Sequence, residues 1–256
     1  MTHAPAASNQ STLSLSHSAS VRDIRVDLAA VHRLAAREGL HEGTWNHVSA
    51  RVPGHPGYIA MSPELTHWSL VRASDVIVLG SAGEVALGAG RPDESAWAIH
   101  APIYAARPDI GCVLHTHMPH ATALTLRKKF HFEERAEQHA AAFYRKVAYF
   151  DEYDGVVLDL TQGAAMAKAL GSKSVLFLRN HGVLLVDREL GAGYTRLYTL
   201  ERACLFQVLA GTGGHELAPM SEAAAARVAA LDDAEPRDSF RAMKRVLDAQ
   251  EPDYRL

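Results

Sequence analysis

Two histidines separated by one residue follow a short apolar segment of the chain. The segment is Cys112-Val113-Leu114, and His115, Thr116 and His117 come directly after it. Successive side chains of a β-strand point to opposite faces, so a strand here would place His115 and His117 on one face. Two imidazoles on one face can bind a single zinc ion at about 2.0–2.1 Å each. The spacing therefore predicts two metal ligands, although such a pair also occurs without a metal.

A third ligand is needed, because a catalytic zinc ion usually has three protein ligands and one open position for water or substrate. His181 follows the apolar segment 175–178 and precedes Gly182. A strand that ends beside a glycine can direct a side chain into a cleft. We therefore predict His181 as the third ligand. The alternative is an ordinary turn residue.

An acid close to the metal could serve as a fourth ligand or as a general base. Glu94 lies at the start of the segment 93–107, whose apolar spacing predicts a helix. A carboxylate in the first turn of a helix is stabilised by the helix dipole. We predict a catalytic role for Glu94, and the alternative is an ordinary first-turn acid. His100 and His120 are interpreted as structural.

The remaining patterns describe the elements that must position these side chains. Residues 21–39 have helical apolar spacing, and residues 75–88 read as a hairpin with its turn at Ser81-Ala82-Gly83. Residues 174–187 read as two strands broken at 180–182. Several strands are thus joined by links of hairpin length, and the regular alternation of strands and helices that is typical of a parallel sheet is interrupted. The sequence predicts one α/β domain with a mixed, mostly antiparallel sheet covered by helices.

Composition excludes several classes of protein. The formal net charge of −3 and the absence of a basic stripe argue against a nucleic-acid partner. No apolar segment approaches the roughly 18 residues needed to cross a membrane. Cys112 and Cys204 lie in apolar contexts, which predicts reduced core thiols and a cytoplasmic location. Residues 1–20 are small and polar without the pattern of a signal peptide, so we predict a disordered N-terminal tail.

Four blocks together resemble the class II aldolase/adducin family. They occur in the family's order between about residues 22 and 212. They are "EGTWNHVSAR", "DESAWAIHAPIYAARPDIGCVLHTHMPHATAL", "LFLRNHGVLLV" and "YTRLYTLERACLFQ". Agreement of four blocks in the same order is specific for the family, whereas agreement of any single block would not be.

The resemblance implies a three-layer α/β/α sandwich over residues 21–256, as a single domain. It implies a homotetramer with active sites between neighbouring subunits, where Tyr144 and Arg145 could reach a neighbour's site. It also implies a divalent metal held by His115, His117 and His181, with Glu94 as the family acid. Three imidazoles and a carboxylate suit zinc first, and manganese, iron or cobalt could occupy the same set.

The family's sugar-phosphate enzymes bind phosphate with segments that are only partly present here. Gly43, Asn46 and Ser49 match the first segment, and Ser62 marks the second without its following glycine. Asp93 stands where a serine would help to hold phosphate, and an aspartate repels a phosphate dianion. These departures favour a non-phosphorylated substrate.

Two further side chains are candidates for binding and proton transfer. Arg51 could form a bidentate pair with a substrate carboxylate, or an ordinary surface salt bridge. The family's proton-donating tyrosine is missing, because Glu137, Gln138 and His139 occupy its region. Tyr254, near the C-terminus, is the candidate that replaces it.

The leading hypothesis is a metal-dependent lyase that decarboxylates a hydroxy or oxo carboxylate, which could be aromatic, through a metal-stabilised enolate. The first alternative is an aldolase or epimerase acting on a sugar or sugar phosphate. The second alternative is a non-catalytic interaction module like that of adducin, which predicts that metal ligands are missing.

Overall fold

The structure, a computed structural model, describes residues 15–152, 155–234 and 239–256. Residues 1–14 of the predicted tail lie outside this range. The rest of that segment is folded, because Leu15 is only 1% exposed and packs in the core, and the helix α1 begins at Ala19. The prediction of a disordered tail was therefore wrong for residues 15–20.

Eight strands form one sheet in the described part of the chain. They are β1 (His47–Arg51), β2 (Ile59–Met61), β3 (Ile77–Leu79), β4 (Val85–Leu87), β5 (Cys112–Thr116), β6 (Val147–Phe150), β7 (Val175–Leu178) and β8 (Gly182–Asp187). Their order is β4-β3-β2-β1-β5-β8-β7-β6. Only β6 and β7 pair in parallel, so the predicted mixed, mostly antiparallel sheet is confirmed.

The described helices cover both faces of the sheet. They are α1 (Ala19–Arg37), α2 (Glu94–Ala106), α3 (Pro119–Thr125), α4 (Gln138–Ala141), α5 (Leu160–Leu170), α6 (Leu190–Ala210), α7 (Glu222–Ala234) and α8 (Ser239–Gln250), with 3-10 turns at Trp68–Leu70 and Pro252–Arg255. Helices α2 and α5 pack on the face that carries Val113. Helices α1 and α6 pack on the opposite face, which carries Leu114. The three-layer α/β/α sandwich is confirmed, and the single sheet is consistent with the predicted single domain.

The centre of the sheet brings three chain segments to one edge. Strand β5 lies between β1 and β8 and is antiparallel to both. The C-terminal end of β5 therefore meets the first residues of β1 and β8. His47 of β1 pairs directly with His115, and Thr116 pairs with Val183. The candidate metal ligands predicted from the sequence lie at this edge.

The helix that follows the histidine strand is fixed by a buried carboxylate. Glu201 of α6 is 6% exposed and accepts hydrogen bonds from the backbone N–H groups of His120 (2.8 Å) and Ala121 (3.0 Å). These N–H groups have no partner within α3, because they belong to its first turn. The contact holds α3, and with it the end of β5, against α6.

The two cysteines behave as predicted. Cys112 and Cys204 are free and fully buried, and burial raises the pKa of each thiol. None of the helices in the described ranges has the length and apolarity of a membrane span.

Buried histidines make the stability of the fold depend on pH. His32 is 0% exposed and its Nδ1 lies 2.7 Å from the carbonyl oxygen of Leu28, and burial lowers its pKa to about 4. Between pH 6.5 and 4 the unfolded chain takes up a proton at this position and the folded chain does not. We expect the free energy of unfolding to fall by about 3 kcal/mol over this window from His32 alone.

Urea unfolding of chelator-treated protein at pH 7 and pH 5 tests this expectation. The loss of stability should be smaller in His32→Gln than in the wild type, while the exposed control His215→Gln should match the wild type. Equal losses in the wild type and in His32→Gln would contradict it.

Candidate metal centre

The three predicted ligands converge at the edge of the sheet. One ligand atom from each of His115, His117 and His181 lies within 4.8 Å of the other two. The ring centroids are 5.1 Å apart for His115 and His117, 4.8 Å for His115 and His181, and 4.7 Å for His117 and His181. His115 is buried and the other two are partly exposed. The site is therefore closed on the sheet side and open on the other.

The donor set fits a divalent metal. The Nε2 atoms of His115 and His117 are 3.2 Å apart. Two nitrogens bound to one tetrahedral zinc ion at 2.0–2.1 Å lie about 3.3–3.4 Å apart, so little movement is needed. Burial and the neighbouring imidazoles lower the pKa of His115, and burial lowers that of His181 to about 4. Neutral imidazoles are the form that binds a metal.

The ring nitrogens that face away from the cluster have partners that fix the ligand rings. Nδ1 of His115 lies 3.1 Å from the carbonyl oxygen of Val183, and Nδ1 of His117 lies 2.7 Å from Oε2 of Glu42. A carbonyl or carboxylate in this position makes Nδ1 the protonated nitrogen and leaves Nε2 free for a metal. The carboxylate paired with a ligand is thus Glu42, which the sequence analysis missed.

The loop before β1 connects Glu42 to the site. The side-chain oxygen of Asn46 accepts hydrogen bonds from the backbone N–H of Glu42 (2.7 Å) and of His117 (3.4 Å). Its amide nitrogen is buried and has no partner in the described structure. Gly43 has a φ of +56°, the left-handed conformation that favours glycine, and faces open space. Asn46 therefore adjoins the ligand His117, and the roles of Asn46 and Gly43 in substrate binding stay predictions.

Close packing at the start of β8 depends on a glycine. A Cβ atom on Gly182 would lie 2.6 Å from the carbonyl oxygen of Thr116 and 2.9 Å from Cδ2 of His117. Only glycine lets β8 approach the end of β5 this closely. Asn180, with a φ of +54°, completes the turn that presents His181.

Glu94 is at the first residue of α2, as predicted, but its side chain is exposed and is not one of the clustered ligand atoms. A role as fourth ligand is therefore not supported by the geometry. Its role as a catalytic acid stays a prediction.

Two predicted substrate-binding residues of β1 serve the fold instead. Ser49 is 0% exposed, and its hydroxyl contacts Nδ1 of His100 (2.6 Å) and the hydroxyl of Tyr104 (3.0 Å). Arg51 donates to the carbonyl oxygens of Ile110 and Tyr104 at 2.9 and 2.8 Å. Arg51 also lies four residues from His47, about 13 Å along the strand. The predicted contacts of Ser49 and Arg51 with substrate were wrong for this reason.

The proposed proton donor Tyr254 is also placed in the core. It is 0% exposed, and its hydroxyl donates to Oδ1 of Asp248 at 2.6 Å. Arg33 of α1 binds the neighbouring Asp253 at 2.9 Å and holds the C-terminal turn in place. The structure therefore does not bring Tyr254 to the histidine cluster. Ser62 follows β2 in a partly exposed position, and its role stays a prediction.

A comparison of the two carboxylates tests which one serves the site. We expect Glu42→Gln to weaken zinc binding about 10–100-fold, because the ring of His117 loses the charged partner that orients it. Glu94→Gln should leave the zinc affinity unchanged, whatever it does to turnover. Competition titration with a chromophoric chelator measures both. A normal affinity in Glu42→Gln would contradict this assignment.

Fold, site and sequence together define the family. Residues 26–208 match the family model of the class II aldolase and adducin N-terminal domain. The chain belongs to the class II aldolase/adducin family.

Among curated proteins, the chain is 32% identical over 200 residues to a protein of Pseudomonas aeruginosa named provisionally as an aldolase class 2 protein, covering 75% of this chain and 73% of the relative. It is also 32% identical over 200 residues to rat alpha-adducin, but there it covers only 26% of the longer protein.

Solved structures show the same fold. An aldolase II superfamily protein from Pseudomonas syringae superposes with a TM-score of 0.85 at 31% identity, over 93% of this chain and 97% of the other. An L-fuculose 1-phosphate aldolase from Glaciozyma antarctica gives a TM-score of 0.79 at 24% identity, over 92% of each chain. At this lower identity the second match supports the fold alone.

Proposed function

We propose that the protein is a metal-dependent carbon–carbon lyase that decarboxylates a non-phosphorylated hydroxy or oxo carboxylate with an aromatic ring. The observation that carries this proposal is an apolar cavity that opens beside the candidate ligand His181. Substrate and metal site would then be in direct contact.

The cavity has the size of one aromatic ring. Its volume is about 170 Å³, and a cavity of about 150 Å³ accepts benzene. Its lining includes the apolar side chains of Phe150, Val157, Met166 and Leu178 and the polar side chains of Glu152, Gln162, Arg179 and His181. Such a lining, mostly apolar with a few polar groups that fix orientation, is typical of small-molecule sites.

A cation at the rim of this cavity suits a carboxylate. The guanidinium of Arg179 donates to the carbonyl oxygen of Lys128 at 3.1 Å and lies 3.8 Å from Asp151, which is largely exposed. A guanidinium has five N–H donors, so further donors are left for a carboxylate.

The start of α2 supports a substrate without phosphate. Oδ1 of Asp93 accepts hydrogen bonds from the backbone N–H of Ala96 (3.0 Å) and the hydroxyl of Ser95 (2.6 Å). A helix N-terminus is a common phosphate site. Here the helix's own carboxylate occupies it and would repel a phosphate.

A divalent metal held by His115, His117 and His181 would withdraw charge from a substrate oxygen while the bond to the carboxylate carbon breaks. The bonding electron pair stays on the substrate as carbon dioxide leaves, and the substrate carbon takes up one proton. The cavity would hold the aromatic ring, and Arg179 would orient a carboxylate. Glu94 is our candidate for supplying the proton.

Carbon dioxide release from a panel of ortho-hydroxy aromatic acids tests the proposal. We expect release from the zinc- or manganese-loaded protein and none after chelation. Met166→Trp fills the cavity, so it should raise KM for the aromatic acids while metal stoichiometry stays normal. No release across the panel, alongside turnover of dihydroxyacetone phosphate with aldehydes, would refute decarboxylation.

Turnover of dihydroxyacetone phosphate with aldehydes would support the alternative, an aldolase or epimerase. It is favoured by the names of the relatives from Pseudomonas aeruginosa and Caulobacter vibrioides, both provisionally class 2 aldolases. A non-catalytic role, as in adducin, would require that the purified protein bind no stoichiometric metal and turn over neither class of substrate.

We also propose that the protein assembles as a homotetramer with its sites at subunit interfaces. Trp45, next to Asn46, is 75% exposed, and Leu65 is 79% exposed. Large exposed apolar side chains beside a functional loop are typical of protein contacts. Sedimentation of the wild type and of Trp45→Ser tests this, with a smaller species expected for the variant.

A further inference from the structure

A chain of four buried polar side chains leads from the interior to the metal centre. Nδ1 of His47 lies 2.8 Å from Nε2 of His100, and Nδ1 of His100 lies 2.6 Å from the hydroxyl oxygen of Ser49. That oxygen lies 3.0 Å from the hydroxyl of Tyr104. All four residues are at most 6% exposed. The family assignment and the proposed function leave this chain without a role.

The direction of the hydrogen bonds follows from counting protons. The buried hydroxyl of Tyr104 has one proton, and its only side-chain acceptor in the described structure is the oxygen of Ser49. If Ser49 instead donated to Tyr104, the phenol proton would have no acceptor, which is costly in a buried site. Tyr104 therefore donates to Ser49, and Ser49 donates its own proton to Nδ1 of His100.

The same count fixes the tautomers of both histidines. Burial lowers the pKa of His100 to about 3, so its ring is neutral at pH 7 and carries one proton. Because Nδ1 of His100 accepts from Ser49, the proton is on Nε2 and is donated to Nδ1 of His47. Since Nδ1 of His47 accepts, that ring carries its proton on Nε2.

His47 lies beside the candidate ligand His115. The ring lies directly across the β1–β5 pair from His115, with centroids 4.8 Å apart. Nδ1 contacts His100 of α2, so Nε2 is the ring nitrogen left for a further contact beside the ligands.

We propose that His47 is a further catalytic residue, a neutral imidazole whose Nε2–H donates a hydrogen bond to the substrate oxygen that gains negative charge. The chain through His100, Ser49 and Tyr104 holds it in this tautomer, so these three are positioning residues. A fixed donor aimed at a developing charge stabilises a transition state without reorganisation, and neutral histidine can fill that role. The catalytic part of this proposal rests on the lyase function, whereas the tautomer does not.

The tautomer is measured on chelator-treated protein with ¹⁵N-labelled histidine, using long-range proton–nitrogen correlation spectra. Spectra of His47→Gln and His100→Gln assign the two rings. We expect both to carry the proton on Nε2. A proton on Nδ1 of His47 would overturn the proposal.

Tyr104→Phe tests whether the chain sets the direction, because it removes the phenol proton and should let His47 populate both tautomers. An unchanged tautomer in this variant would overturn the positioning role.

The catalytic part is measured on the zinc-loaded protein. His47→Phe keeps a ring but has no donor, so kcat should fall about 10²–10³-fold with stoichiometric metal still bound. His47→Gln keeps an N–H donor and should retain more activity than His47→Phe. Wild-type turnover in His47→Phe would overturn the catalytic role. If the wild type itself releases no carbon dioxide, the proposed function fails, and the spectra still decide the tautomer.

Discussion

Replacing His181 by alanine is expected to abolish metal binding at micromolar zinc and, with it, turnover. His181 is one of three converging imidazoles, and the remaining pair lacks the third protein donor that a catalytic site usually has. The loss of affinity should exceed the roughly 10–100-fold that follows from losing only the hydrogen-bond partner of a ligand. Elemental analysis and competition titration measure it.

The fold should survive this substitution. His181 lies in a partly exposed turn outside the hydrophobic core, so its removal leaves the packing of the sheet in place. Zinc at 100 times its dissociation constant stabilises the wild type by about 2.7 kcal/mol. This increment should be absent in His181→Ala and present in His120→Gln, whose imidazole contacts Glu201 instead. A normal zinc-dependent rise of Tm in His181→Ala would refute the metal centre.

The geometry of β5 was predictable because a strand has a fixed period. Alternation alone places His115 and His117 on the face of Val113. The same rule applied to β1 places Ser49 and Arg51 on the face of His47, which is also the face of the ligand histidines. Their distance along the strand and their contacts with α2, which alternation does not predict, keep them from the metal centre. The sequence analysis used resemblance for these residues instead, and it was wrong about their contacts.

Other parts of the site depend on pairings between distant segments. The approach of Glu42 to His117 requires β1 to pair with β5, across about 70 residues of chain. No local pattern specifies that partner, since register and strand order follow from the packing of the whole sheet. The sequence did contain a partial indication that His47 belongs to the site, because His47 adjoins Asn46 in a block that resembles a binding loop of the family.

The C-terminus shows how tertiary contacts override a plausible guess. From the sequence alone, Tyr254 near the C-terminus could be placed against any part of the surface. Arg33 on α1, only 6% exposed, binds Glu251 and Asp253 and draws the terminal turn onto the core. A buried arginine needs such partners, so burial of Tyr254 follows from a residue more than 200 positions earlier.

Gly182→Ala is expected to lower both stability and metal affinity. The added methyl group would lie 2.6 Å from the carbonyl oxygen of Thr116, inside the contact distance of the two atoms. Either β8 moves away from β5 or the ring of His117 is displaced, since its Cδ2 is 2.9 Å from the same position. Overpacking of this kind costs about 1–3 kcal/mol of folding free energy.

Gly193→Ala provides a matched control at the other end of β5. Its methyl group would lie 2.8 Å from Sγ of Cys112, remote from the ligand histidines along the strand. This variant should lose stability by a similar mechanism and keep the wild-type zinc affinity. Urea unfolding without metal and zinc titration separate the two effects. If Gly182→Ala lost stability but bound zinc as tightly as Gly193→Ala, the close approach of β8 would be a requirement of the sheet and not of the metal centre.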